Sequence, residues 1–355
     1  MERVLVSADS LSSLVEALFR NAGVSAEDAA TIARVQLEAD LRGMHSHGMR
    51  AIPIYLERIR LGIINPRPSI RVTDLGAVAS VDGGDGPGQV VAVRAMEECI
   101  ARARRYHVGI AVAHRSNHFG AAGYYAAQAA AADLIGIATT NGNLVLAPID
   151  SVTPTVGNNP IAIGAPASAE PPFLLDVAMS VVAGGKVDLA AAEGEDLPEG
   201  WSFDAEGKPT RDLTAALAGL GIPLGAPLAG HKGFGLALGM EVLAGVLSGA
   251  RFGREHTVEV DLGPRPWDEG HFFMAIDPAI TMPLPAFKAR VDQLMREVRD
   301  TQPIPGGPPA HAPGERAWTR RERALREGIW LPGSIVQRLN ECATTAQLAP
   351  IRDIS

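Results

Sequence analysis

The chain has 355 residues, of which 46% are hydrophobic and 20% are charged. This composition is typical of a globular protein large enough to form two or more lobes. Its net charge of -8 argues against a nucleic-acid partner, because binding to phosphates needs a basic surface.

Cysteine content and hydropathy indicate the cellular compartment that we expect for the protein. Cys99 and Cys342 have no CxxC neighbour, which argues against a disulfide framework or a cysteine-based zinc site and fits a reducing cytoplasm. Residues 1–9 lack the apolar segment of a signal peptide, and the sequence has no run of about 18 apolar residues. We therefore expect a cytoplasmic protein without a membrane partner.

The N-terminal part of the chain is predicted to be helical. Apolar residues recur at helical spacing over residues 10–21, 26–41 and 52–61. Ser25 is placed to cap the second of these helices. The connection between the second and third helices is a sensible place to expose functional side chains.

That connection, residues 42–50, gathers three chemically useful side chains: Ser46, His47 and Arg50. A guanidinium holds a carboxylate through two parallel charge-assisted hydrogen bonds, and an imidazole titrates near neutral pH. The stretch therefore suggests a site that binds a small carboxylate and moves a proton beside it. The alternative is that His47 and Ser46 only end a helix and that Arg50 is a solvated charge.

A glycine-rich turn at residues 83–88 lies between strands predicted within 70–82 and a helix predicted over 89–106. It mimics a dinucleotide-binding fingerprint. However, the glycine spacing is not G-x-G-x-x-G, and no acidic residue ends the next strand, 108–113. We therefore do not predict a Rossmann fold.

Polar residues follow this strand where an alanine-rich helix, 121–132, is predicted to begin. His118 and Gly120 lie at that turn, and a helix N-terminus favours negative charge. The turn is thus a second candidate for ligand contact. The alternative is that His118 packs beneath the turn without a functional role.

The middle of the chain places polar groups after strands. A strand is predicted over 134–140; it ends at Thr140, and Asn141 follows it. The segment 144–172, which contains Asn158, is predicted to be irregular. These amide and hydroxyl groups are typical of ligand-facing positions, although Asn-Gly pairs more often form turns.

Asp176 is a lone carboxylate in an apolar strand that begins at Phe173. A charge in such a strand is costly unless it is paired or used. Asp176 can accept hydrogen bonds from ribose hydroxyls or backbone amides, or cap the next helix.

His231 and Lys232 precede an apolar helix predicted over 236–247. This glycine-flanked basic pair is a candidate phosphate cradle, or alternatively a solvated loop. The remaining predicted elements are a strand at 272–276, a helix at 284–299, a loop at 301–316, a helix capped by Thr319 and Glu322, and a final helix at 333–347.

Many short motifs occur in a recognisable order. They are Ser46-His47-Gly48 with Arg50, Ser116-Asn117-His118-Phe119-Gly120, Thr140-Asn141, Gly157-Asn158-Asn159-Pro160, Asp176-Val177-Ala178-Met179-Ser180, Lys232-Gly233-Phe234-Gly235 and Pro313-Gly314-Glu315. With them the chain resembles the malate/L-lactate dehydrogenase family of the non-Rossmann, sulfolactate-dehydrogenase-like type. That family includes ureidoglycolate dehydrogenase, diketogulonate reductase and piperideine/pyrroline-2-carboxylate reductase. The resemblance covers residues 10–332.

The resemblance implies a mixed α/β fold whose helical domain is built from both termini. The helical domain would consist of residues 1–66 and 284–355. A substrate-side region would consist of residues 67–120 and about 255–283, and a nicotinamide cofactor-binding domain of residues 121–254. It also implies a homodimer.

The resemblance further implies NAD or NADP as cofactor, and hydride transfer to C2 of a small 2-oxo acid. Ser46 and Arg50 would bind the substrate carboxylate, and we favour His47 as the acid/base, with His118 as the alternative. The residues expected at the cofactor are His118, Gly120, Thr140, Asn141, Asn158, Asp176, Val177, Ala178, Met179, Ser180, His231, Lys232, Pro313, Gly314 and Glu315.

Three alternatives to a 2-oxo acid dehydrogenase remain. The first is a cyclic ketimine reductase of the same family. The second is a metal-dependent hydrolase that uses His45, His47, His114 and His118, although no carboxylate has ligand-like spacing beside them, and we predict no metal. The third is a catalytically inactive relative, against which the presence of both histidines and Arg50 argues.

Overall fold

A seven-stranded mixed sheet crosses the centre of the molecule. The computed structural model describes residues 3–194, 196–256 and 266–354. The spatial strand order is β2 (Arg71–Leu75), β3 (Val78–Asp82), β4 (Val108–Ser116), β11 (Glu269–Ile276), β5 (Ile135–Thr140), β6 (Ile161–Ala165) and β7 (Phe173–Val177). Within these residues, β3 and β4 form the parallel pair and the other neighbours are antiparallel. Since a Rossmann sheet is mostly parallel, the rejection of that fold is confirmed.

Helices and two small sheets make up the rest of the regular structure in the described ranges. The helices are α1 (Ala8–Asn21), α2 (Ala26–Leu41), α3 (Ile52–Arg60), α4 (Gly88–Tyr106), α5 (Gly123–Ala131), α6 (Gly184–Glu193), α7 (Leu213–Leu217), α8 (Gly230–Glu241), α9 (Leu284–Arg299), α10 (Glu315–Glu327) and α11 (Gly333–Thr345). The small sheets are β1 (Arg3–Val6) with β12 (Ile329–Pro332), and β8 (Ser202–Phe203) with β9 (Pro209–Thr210) and β10 (Leu220–Gly221). No helix in the described ranges has both the length and the apolar character that a membrane span requires.

The two ends of the chain share one hydrophobic core. Leu11 and Ile32 from the first two helices are fully buried in the same cluster as Ile335 and Leu339 from α11. The Ser25 hydroxyl accepts the Asp28 N–H at the start of α2, as predicted. The helical domain built from both termini is therefore confirmed, which gives the loop between α2 and α3 a rigid base.

A second core joins the sheet to α4 and α5 through residues such as Met96, Tyr125 and Phe273. The sheet includes strands on both sides of the boundary predicted after residue 120. The division into a substrate-side region and a cofactor domain stays a prediction.

Three sequence-based element predictions are wrong. The segment 144–172 contains β6, because Ala162 is buried and pairs between β5 and β7. The helix predicted from residue 236 begins at Gly230, where the close approach of Gly233 to the Leu224 carbonyl requires a glycine. Thr319 does not cap a helix, because α10 begins at Glu315 and the Thr319 hydroxyl donates to the Glu315 carbonyl inside it.

Candidate active site

One cavity of about 430 Å³ lies where the loop after α2, helix α3, the turn after β4 and the end of β5 meet. Its lining includes the stretch with His47 and Arg50 and the turn with His118. The predicted site residues that line it are Ser46, His47, Arg50, His118, Gly120, Thr140, Asn141, Asn158 and Ser180. The fold therefore gathers side chains that are up to 134 positions apart in the sequence.

The other predicted cofactor residues lie outside the cavity lining. They are Asp176, Val177, Ala178, Met179, His231, Lys232, Pro313, Gly314 and Glu315. Asp176 accepts the Gly123 N–H at the start of α5 (2.9 Å), and burial raises its pKa to about 6. Glu315 accepts the Ala312 N–H (2.9 Å) and pairs with Arg299 (3.3 Å). Their roles at a cofactor stay predictions.

Asp40 holds the loop that carries the first motif. Its buried carboxyl group contacts His45 Nδ1 (2.6 Å) and accepts the Met49 N–H (2.6 Å). Gln36 donates to the carbonyl of Gly48 (2.9 Å). These bonds come from α2, so the second half of that helix fixes the backbone on either side of the site. A Cβ on Gly48 would lie 2.1 Å from Asp40 Oδ2.

Gly48→Ala is therefore expected to lower the free energy of unfolding by about 1–3 kcal/mol, because the added methyl group forces the buried Asp40 carboxylate out of place. Urea unfolding measures the change. Gly235→Ala is the matched control, because its Cβ meets nothing within 4 Å and alanine is favoured in a helix. Equal stability of the two variants would show that Asp40 does not lock the loop.

Two neutral imidazoles face each other in the cavity. The rings of His47 and His118 are stacked with centroids 5.9 Å apart. Burial lowers the pKa of His47 to about 4, with smaller contributions from Arg50 and Lys186, and it lowers the pKa of His118 to about 3. Both rings are therefore uncharged at neutral pH.

Hydrogen bonds define the tautomer of His118. Its Nδ1 accepts the Gly120 N–H (3.4 Å) and lies 2.5 Å from the Tyr55 hydroxyl, so the neutral ring carries its proton on Nε2. His47 Nδ1 instead contacts the Ser46 hydroxyl (2.9 Å). Of these two rings, His118 is therefore the one whose Nδ1 contacts a phenol, and His47 the one whose Nδ1 contacts an aliphatic hydroxyl.

Sequence reasoning did not find three residues at one wall of the cavity: Tyr55, Trp267 and Glu269. Arg58 lies at the same wall, with its guanidinium 3.7 Å from the centre of the Trp267 ring. Glu269 is buried, and burial raises its pKa to about 8 although Arg58 opposes this. The available signal is a lone carboxylate before an apolar strand, but the sequence predicts that this strand begins at residue 272, whereas β11 begins at Glu269.

Unpaired acceptors indicate that the cavity is built for a polar ligand. Asn158 Oδ1, Asn159 Oδ1 and Glu269 Oε2 are buried without a hydrogen-bond partner in the described part of the chain. All three residues line the cavity. Buried polar atoms normally have partners, and the two asparagine oxygens suit the N–H groups of a carboxamide such as that of nicotinamide. The residues present therefore fit the cofactor that the resemblance implies.

The four histidines of the hydrolase hypothesis do not form one cluster. His45 is bound to Asp40, and neither it nor His114 lines the cavity. Within residues 3–194, 196–256 and 266–354, no group of three or more histidine, cysteine or carboxylate side chains is arranged to hold a metal ion.

Comparison with known proteins gives consistent matches over nearly the whole chain. A family model described as malate/L-lactate dehydrogenase matches residues 6–340. The malate dehydrogenase of Pyrococcus horikoshii is 37% identical over 345 residues, which are 96% of this chain and 95% of that protein. The NAD(+) ureidoglycolate dehydrogenase of Escherichia coli K12 is 34% identical over 335 residues, 94% of each chain.

Solved structures match as well. The Δ1-piperideine-2-carboxylate reductase of Pseudomonas syringae has a TM-score of 0.83 and 31% identity, and the alignment covers 96% of this chain and 99% of that one. This similarity confirms the non-Rossmann mixed α/β fold.

Proposed function

Because the chain belongs to the malate/L-lactate dehydrogenase family, whose members are NAD(P)-dependent oxidoreductases of small acids, we propose that it moves hydride between nicotinamide and C2 of a small 2-oxo or 2-hydroxy acid. The observation that carries the proposal is a single cavity that holds a guanidinium, Arg50, beside two uncharged imidazoles, His47 and His118. Reduction of a 2-oxo acid needs both a grip on the carboxylate and a proton donor at the carbonyl oxygen.

We assign proton transfer to His118. Its Nε2–H is the free donor of the ring, because Nδ1 is engaged by Tyr55 and Gly120. As Nε2 protonates the substrate oxygen, the Tyr55 hydroxyl can pass its proton to Nδ1, so the ring never becomes an imidazolate. His47 Nδ1 contacts the aliphatic hydroxyl of Ser46, which is a much weaker acid than the phenol of a tyrosine. We therefore place His47, with Ser46, as a hydrogen-bond partner of the bound substrate.

Arg50 is assigned to the substrate carboxylate. A planar guanidinium matches a carboxylate with two parallel hydrogen bonds, which fixes the orientation of the acid as well as its position. The charge of Arg50 also helps to hold His47 in its neutral form. Binding of the carboxylate in one orientation also fixes the position of C2 relative to His118, which the proton transfer requires.

The nicotinamide ring, when bound, supplies or accepts the hydride. Gly120, Thr140, Asn141, Asn158 and Ser180 line the cavity and are proposed to hold that end of the cofactor. The remaining proposed contacts, at the end of β7 and at the starts of α8 and α10, would hold the rest of it. They are Asp176, Val177, Ala178, Met179, His231, Lys232, Pro313, Gly314 and Glu315.

Arg58 favours an acid with a second anionic group, as in malate. It lines the same cavity as Arg50, and its guanidinium stacks on the Trp267 ring. Burial lowers the pKa of Arg58, which shows that its charge is poorly solvated. An anionic substituent on the substrate would stabilise that charge.

A cyclic ketimine reductase is the second candidate function, and the similarity to the Pseudomonas syringae reductase favours it. Arg50 would hold the carboxylate of the imino acid in the same way. The two functions differ in whether oxygen or nitrogen is bonded to C2.

A substrate panel tests the proposal. Oxaloacetate, pyruvate, phenylpyruvate and Δ1-piperideine-2-carboxylate are each offered with NADH and with NADPH, and the loss of reduced-cofactor absorbance is followed. We expect the highest kcat/KM with oxaloacetate. A preference for the cyclic imine would favour the second candidate, and no turnover with any acid would contradict both.

We also propose that the protein is a homodimer, supported by an apolar face on α8 and the helical turn that follows it. Large exposed side chains recur there: Leu236, Leu238, Val242, Val246 and Leu247. Exposed apolar side chains concentrated on one segment are typical of interaction sites in globular proteins, and twofold dimers are the commonest assemblies.

Leu236→Asp is expected to convert the dimer into a monomer, because a buried unpaired carboxylate is costly in an interface. Light scattering after size-exclusion chromatography measures the mass. Leu325→Asp on α10 is the control, since Leu325 is about as exposed as Leu236 (50% and 52%) but lies outside the apolar face. A monomeric wild-type protein would contradict the proposal.

A further inference from the structure

The proposed reduction consumes one proton per turnover, and neither His47 nor His118 carries an extra proton that could supply it. Burial lowers the pKa of His47 to about 4 and that of His118 to about 3. At neutral pH neither ring holds an extra proton, so a proton passed on by His118 has to be replaced from another group. Among the described residues, one carboxyl group lines the cavity, and the mechanism has not yet used it.

That group belongs to Glu269. It is 2% exposed, it lines the cavity, and its Oε2 has no partner among the described residues. The pairing of β11 with β4 shifts register between Glu269 and His271. Such irregularities re-aim side chains near functional sites. Glu269 thus lies at the cavity wall, whereas His271 is bound beneath it to Thr140 and Ser116.

The surroundings of Glu269 favour its protonated form. The titratable or charged side chains around it are Tyr55 and Arg58 on α3, His118 after β4, Arg115 at the end of β4, and Asp268 and His271 beside it in the chain. Arg115 is paired with Asp82 and Asp85, and Asp268 accepts the Arg115 N–H. Arg58 alone opposes burial, and the pKa of Glu269 is raised to about 8.

We propose that Glu269 is the proton source of the site, linked to His118 through Tyr55. The Glu269 O–H bond breaks and its proton passes through a cavity water to the Tyr55 oxygen. The Tyr55 proton passes to His118 Nδ1 across their 2.5 Å contact, and the Nε2 proton of His118 goes to the substrate oxygen. Glu269 ends as a carboxylate, and solvent protonates it again. This inference rests on the proposed function.

The pH dependence follows from the protonation state of Glu269. Reduction needs the carboxylic acid, so kcat for reduction falls as the pH rises through about 8. Oxidation of the hydroxy acid needs the carboxylate, so kcat in that direction rises over the same range. Glu269→Gln keeps the shape of the side chain but cannot release a proton.

We therefore measure kcat against pH in both directions for the wild type, Glu269→Gln and Tyr55→Phe. In both variants the ionisation near pH 8 is expected to disappear from the profile. Their kcat for reduction at pH 7 is expected to be ~10²-fold lower than that of the wild type. Glu57→Gln, an exposed carboxylate on α3 that pairs with Arg60, is the control and should keep the wild-type profile. An ionisation near pH 8 that persists in Glu269→Gln would overturn the proposal, and one that persists in Tyr55→Phe would overturn the route.

A second readout does not depend on turnover. The infrared difference spectrum of wild type minus Glu269→Gln should contain the carbonyl stretch of a protonated carboxyl group at pH 7, and that band should vanish above pH 9 as the group ionises. Absence of the band at pH 7 would overturn the proposal even if 2-oxo acids are reduced. Presence of the band without turnover of any acid would instead contradict the proposed function.

Discussion

Replacement of His118 by asparagine is expected to lower kcat for reduction of the preferred 2-oxo acid by about 10²–10⁴-fold, the usual contribution of a positioned general acid. The neutral ring presents Nε2–H to the cavity and receives the Tyr55 proton at Nδ1. Asparagine can offer a hydrogen bond but cannot take a proton and release another. The affinity for NADH or NADPH, measured by fluorescence titration, should change less than kcat does.

His107→Asn is the matched control for this prediction. His107 is an exposed histidine that pairs with Asp277 (3.1 Å) away from the cavity, and its loss should leave turnover as it is. If His118→Asn retains wild-type kcat while His47→Asn does not, the proton-transfer role belongs to His47, as the sequence favoured.

Arg50→Met is expected to lower kcat/KM for 2-oxo acids by ~10²-fold or more, because hydrogen bonds to charged groups contribute roughly 1.5–3 kcal/mol each and two are lost. Arg50→Lys keeps the charge but not the fork, and its kcat/KM should fall between those of the wild type and Arg50→Met. Initial-rate measurements with a monocarboxylate such as pyruvate isolate the effect on the first carboxylate.

Arg60→Met serves as the control, because Arg60 is an exposed arginine on α3 that pairs with Glu57 (2.6 Å). Its kcat/KM should equal that of the wild type. A wild-type kcat/KM in Arg50→Met would show that another group holds the carboxylate, and Arg58 would then be the first to test.

The local parts of the site were predictable from sequence because their chemistry is local. Ser46, His47 and Arg50 lie within five positions of each other, and the turn with His118 follows a strand, so hydropathy and turn residues place both motifs. Helical spacing likewise predicts α1, α2 and α9 to within two residues of their observed bounds.

The rest of the site depends on contacts between distant segments. Tyr55 faces His118 across 63 positions, and Glu269 reaches the cavity only because β11 inserts between β4 and β5. No local pattern encodes that insertion. The same reason explains β6, which contains Gly164 but forms a strand because β5 and β7 pair with it.

The most direct test is a crystal structure with reduced cofactor and oxamate, an unreactive analogue of pyruvate. We predict the nicotinamide ring in the cavity beside His118, with the oxamate carboxylate on the Arg50 guanidinium and its amide carbonyl within hydrogen-bond distance of His118 Nε2. A nicotinamide ring bound away from both His118 and residues 46–50 of every subunit would contradict the proposed mechanism.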